Sequence, residues 1–139
     1  MKQIIIISAL LLIVISCTKE EKKFEAFSAE AFAYDIGDSW EVNAAVRIKG
    51  FSQSENSGTH SASVKYNVNL IYPDGKKVES VYSDKKNESK REEIMDIPLE
   101  AQFNLDSSLV DGNYTLVFDV EDINSKSTAT ARVTFELKK

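Results

Sequence analysis

The sequence predicts an all-β domain, an antiparallel sandwich of about seven strands. Three observations lead there. Five segments beyond residue 23 alternate apolar and polar residues with a period of two, which describes a strand with one dry and one wet face. No comparable stretch carries the 3.6-residue periodicity of an amphipathic helix. Turn-forming clusters such as Pro73-Asp74-Gly75 and Asp111-Gly112 separate the segments. A chain of 139 residues, 42% apolar and 28% charged, is enough for one globular domain of this kind.

Residues 1–16, MKQIIIISALLLIVIS, precede the strands. Lys2 supplies a positive start, and Ile4 to Ile15 is an almost unbroken apolar run of twelve residues. A membrane-spanning helix needs about 20 apolar residues, so this run fits the core of a signal peptide instead. It ends at Val14-Ile15-Ser16-Cys17, which resembles the lipobox of bacterial lipoproteins. The resemblance implies cleavage before Cys17 and lipidation of its thiol and new amino terminus. Cys17 is the only cysteine, which excludes an intramolecular disulfide and a cysteine-based zinc site.

Residues 17–23 read as a charged tether. Cys17, one residue, then Lys19-Glu20-Glu21 resembles the surface-export signal of lipoproteins in Bacteroidota-type bacteria. That likeness implies an outer-membrane protein with its domain outside the cell. Cleavage before Cys17 removes Lys2 and takes the formal charge from −5 to −6. An anionic surface would repel such a body, so the lipid is expected to supply the anchor, two or more acyl chains being needed to hold it.

The strands fill residues 24–139. Phe24–Tyr34 carries Phe24, Phe32 and Tyr34 in one parity and Phe27 in the other, so a bulge or break near Ala29 is expected. Trp40, Val42, Ala44, Val46 and Ile48 form the next alternating set, with Trp40 a candidate core aromatic. Val64, Tyr66, Val68, Leu70 and Tyr72 follow, then Val78–Tyr82 as a short hairpin partner across Pro73-Asp74-Gly75. Ile97–Leu105, Tyr114–Val120 and Ala129–Leu137 complete the series. Ser52–Ser63 lacks apolar residues until Ala62, and Asp84–Glu93 has eight charged residues in ten; both are expected to be exposed, mobile loops. Most aromatic residues fall on the parity expected to face inward.

The segment Leu109-Val110-Asp111-Gly112-Asn113-Tyr114-Thr115-Leu116 resembles the approach to the sixth strand of immunoglobulin-like and fibronectin type III-like domains. The resemblance implies a structural corner in which Asp111-Gly112 turns the chain and the Tyr114 hydroxyl bonds back to the upstream backbone. It implies an immunoglobulin-like sandwich without the inter-sheet disulfide of antibody domains.

Chemistry is sparse. His60, the single histidine, lies among serines of loop composition, with no nucleophile-elbow pattern beside it. The five glycines sit singly, so no phosphate-cradling loop is present. Asp119, Glu121, Asp122 and Asn124, with Asp35 and Asp38, could supply calcium oxygens, but turns are rich in Asp and Asn for conformational reasons. No catalytic residue, metal site or cofactor is assigned. The net negative charge argues against nucleic acid as a partner. The expected function is a non-catalytic binding or structural module of the envelope, anchored in the membrane through its N-terminal lipid and meeting an unidentified protein or glycan. The alternative is a carbohydrate-binding accessory lipoprotein of a glycan uptake system, which would need exposed aromatics.

Overall fold

The computed structural model describes residues 22–139. The signal peptide, Cys17 and Lys19-Glu20-Glu21 lie outside the described residues.

Eight strands follow in order: β1 (Glu25–Asp35), β2 (Ser39–Lys49), β3 (Ser54–Asn56), β4 (Thr59–Ile71), β5 (Lys77–Lys90), β6 (Ile97–Asp106), β7 (Gly112–Asp122) and β8 (Thr128–Leu137). All pairings are antiparallel. One sheet is ordered β1-β2-β6; the other runs β5-β4-β7-β8, with the short β3 pairing the start of β4. Setting β3 aside, seven antiparallel strands in two sheets make the sandwich expected from the alternation.

The core lies between the sheets. β2 buries Trp40, Val42, Ala44, Val46 and Ile48, β4 buries Val64, Tyr66, Val68 and Leu70, and β7 buries Tyr114, Leu116, Phe118 and Val120. Each is one parity of its strand, as the period of two requires. One bond crosses the layers: the Tyr66 hydroxyl of β4 donates to the Glu100 carbonyl of β6 at 2.5 Å. Burial, chiefly, raises the Tyr66 pKa, so the hydroxyl keeps its proton for this bond.

Three expectations are corrected. The run Asp84–Glu93 is not a loop as far as Lys90. β5 continues through it, with Lys90 paired to His60. Its charges are tolerated because β5 is an edge strand whose outer face meets only water, and edge lysines discourage pairing with other chains. Ser52–Ser63 likewise folds into β3, a two-residue turn at Ser57-Gly58, and the start of β4. The bulge in β1 exists, with a register shift between Phe27 and Glu30 and Ser28 at φ 52°. It brings Phe27, Phe32 and Tyr34 onto one face, but that face is the outer one. Phe32 and Tyr34 are 53% and 55% exposed, while Ala31 and Ala33 turn inward. β1 lies beside β8, whose inward parity runs from Ala129 and Ala131 to Val133, Phe135 and Leu137, so the large side chains on this side of the core come from β8 and the small ones from β1.

Candidate binding surface

The corner residues come together at one pole. Tyr114 is fully buried, and its hydroxyl donates to the Val110 carbonyl at 2.8 Å. Its ring stacks on Phe135 with centroids 5.9 Å apart and meets Tyr72 edge-on at 5.5 Å. Burial raises the Tyr114 pKa, and the neighbouring Tyr72, Asp74 and Asp111 add to it. Gly112 sits at φ 150°, where a Cβ would lie 2.9 Å from Pro73 Cγ, so the close approach needs glycine. The Asp111 carboxylate accepts from the Lys139 backbone N–H at 3.3 Å. These contacts hold the turn before β7 against Pro73 and Lys139.

Alternation separates the acidic residues. Asp35 and Asp38 lie on the β1–β2 turn, where Asp35 accepts from the Gly37 N–H at 2.9 Å. Asp119 and Glu121 face outward on β7, while Asp122 is 1% exposed. The Asp122 carboxylate accepts from the Ser52 N–H at 2.6 Å, the Ser52 hydroxyl at 2.9 Å and the Asn124 N–H at 3.0 Å. It therefore ties the connection after β2 to the turn after β7. Burial alone pushes its pKa up. The donors from Ser52 and Ser125 outweigh that and hold the carboxyl below the usual range. Among the described residues, no group of three or more His, Cys, Asp or Glu is placed to hold a metal ion. His60 stands on β4 between Glu55 of β3 and Lys90 of β5.

A depression of about 730 Å³ lies on the outer face of β5-β4-β7-β8, floored by Lys65, Asn67, Ser83, Lys85, Asp119, Glu121 and Thr130. A polar chain crosses all four strands beneath it. The Ser80 N–H, in a bulge of β5, donates to Asn69 Oδ1 at 2.9 Å. Asn69 Nδ2 donates to Asp119 Oδ2 at 2.9 Å, and the Thr130 hydroxyl donates to Asp119 Oδ1 at 3.1 Å. Glu121 lies between Lys65 at 3.6 Å and Lys126 at 3.9 Å. The carboxylates are thus engaged in holding the face. Asn67, Ser83 and Lys85 have no side-chain partner among the described residues and are the groups free to meet a polar ligand.

A second depression, about 290 Å³, lies on the outer face of β1-β2-β6. Ala45 floors it, Phe32 forms one wall, and Glu30, Glu100, Asn43 and Gln102 surround it. Sequence reasoning missed this face. The signal was present in Ala31-Phe32-Ala33-Tyr34, an alternation of small and aromatic residues in which either parity could face inward. Asn69 and Asp122, the two buried polar residues among the described residues, were also not legible in these structural roles. Comparison with protein-family models and with curated proteins returns no match to this sequence.

Proposed function

We propose that the chain is a lipid-anchored outer-membrane lipoprotein, held through Cys17, whose sandwich stands outside the cell as a non-catalytic binding module. The observation that carries the reading is the sequence Val14-Ile15-Ser16-Cys17, where a twelve-residue apolar run meets a charged tether at the only cysteine. The fold is consistent with a short tether. Lys22 pairs with Glu93, and the Lys23 carbonyl lies against Gly50, so the chain is already docked five residues after Cys17. Such a link extends to about 20 Å at most. On this reading the pole holding the β2–β3 and β5–β6 connections faces the bilayer, and the β1–β2, β4–β5 and β6–β7 turns face away. Strands of 10–14 residues at roughly 3.3 Å each set that far pole a further 35 Å or so out. The sheet faces between the poles are accessible to a partner. The engaged carboxylates of the larger depression favour binding over proton transfer, since Asp119 and Glu121 are already committed to neighbours.

Replacing Lys19, Glu20 and Glu21 with alanine tests the outward placement while keeping Cys17. Protease added to intact cells should digest the wild-type domain and spare the variant. Equal digestion of both would show that the motif is not read, and protection of both would put the domain inside the envelope.

A further inference from the structure

We propose that the outer face of the β1-β2-β6 sheet binds a neutral polysaccharide chain, with Phe32 and Tyr34 as the stacking residues. This rests on the reading of the sandwich as a non-catalytic binding module. The two rings alternate along one strand, so they stand about 6.6 Å apart on the same rigid face. In register beside them are amides and small residues. Phe32 faces Asn43 and then Gln102; Tyr34 faces Glu41 and then Asn104. The row before them is Glu30, Ala45 and Glu100, where the alanine leaves the depression open.

The chemistry of this set selects the occupant. A sugar ring presents an apolar C–H face and a rim of hydroxyls. An aromatic ring covers the first, and an amide both donates to and accepts from the second. Glu30 and Glu100 add acceptors for hydroxyls, Glu41 already accepts from the Asn43 amide at 2.9 Å, and the three carboxylates repel an anionic chain. A protein partner fits less well. Phe32, Tyr34 and Ile36 are each about half exposed and together offer roughly 300 Å² of apolar surface. A stable protein interface buries about 800 Å² per partner around an apolar centre. Here the apolar strip is one strand wide, and amides and carboxylates begin on the next strand.

The test uses the full-length protein extracted in detergent and run on native gels cast with laminarin, xyloglucan, galactomannan or soluble starch, with polygalacturonate as the anionic probe. At least one neutral polysaccharide should retard the wild type, and polygalacturonate should not. Phe32→Ala and Tyr34→Ala should each weaken the retarding interaction about tenfold or more, with melting temperatures close to wild type because both rings are half exposed. Met95→Ala, an exposed residue on the connection between β5 and β6, should bind as wild type does. Absence of retardation by every neutral probe, retardation unaffected by the two ring substitutions, or equal retardation by polygalacturonate would overturn the proposal. The recovered polysaccharide should keep its length. Shortened chains together with dependence on Phe32 would support the site and overturn the non-catalytic reading instead.

Discussion

Removing the hydroxyl of Tyr114 isolates one hydrogen bond in the fold. Tyr114→Phe keeps the ring, and with it the stack on Phe135 and the edge contact with Tyr72. What disappears is the 2.8 Å bond to the Val110 carbonyl. A net hydrogen bond contributes about 0.5–1.5 kcal/mol, and a buried acceptor left unmet costs about 1–3 kcal/mol. Val110 is 67% exposed, so water can reach its carbonyl more readily than a core group. The lower part of the range applies, about 1–2 kcal/mol. For a domain of this size that is roughly 4–10 °C in melting temperature. Tyr82→Phe is the control. Its hydroxyl reaches Asp84 only at 3.5 Å near the surface, so its loss should move the midpoint by about 0.5 kcal/mol or less. Thermal and urea unfolding of the three proteins decide the matter. A Tyr114→Phe midpoint equal to wild type, or a Tyr82→Phe loss as large, would refute the corner as a stabilising element.

Two further perturbations probe other joints. Asp122→Asn should cost about 2–3 kcal/mol at neutral pH, because one acceptor of the Ser52 pair becomes a donor. The depressed carboxyl pKa makes this contribution complete above the unfolded value, about 3.9, and lost as pH falls through the lower folded value. The gap between wild type and variant in urea unfolding should therefore narrow below about pH 4; a constant gap down to pH 2 would contradict the assignment. Gly50→Ala places a Cβ 2.0 Å from the Lys23 carbonyl at φ 75°, and should lower stability by about 2 kcal/mol or more in the same assay.

Much of the fold was legible because alternation reports burial directly. β2, β4, β6, β7 and β8 each bury the parity that the sequence marks as apolar. Reading failed where polarity was taken to mean loop. Asp84–Lys90 is polar because it is an edge, and its backbone bonds to β4 regardless of side-chain charge. It failed again at β1, where aromatics were expected inside but Ala31 and Ala33 turn inward and Phe32 and Tyr34 face out. Asn69 and Asp122 depend on partners 11 and 70 residues away, Ser80 and Ser52, and no local pattern announces such pairings.

The membrane anchorage we propose depends on one atom, the thiol sulfur of Cys17. Intact-mass and fragment spectra of the mature protein, purified from membranes, address it directly. The account expects an amino terminus beginning at Cys17 with a diacylglyceryl thioether and an acylated amine, and a Cys17→Ala variant that remains unprocessed or is lost from the membrane. A mature chain that starts elsewhere, or that carries Cys17 as a free thiol, would contradict it.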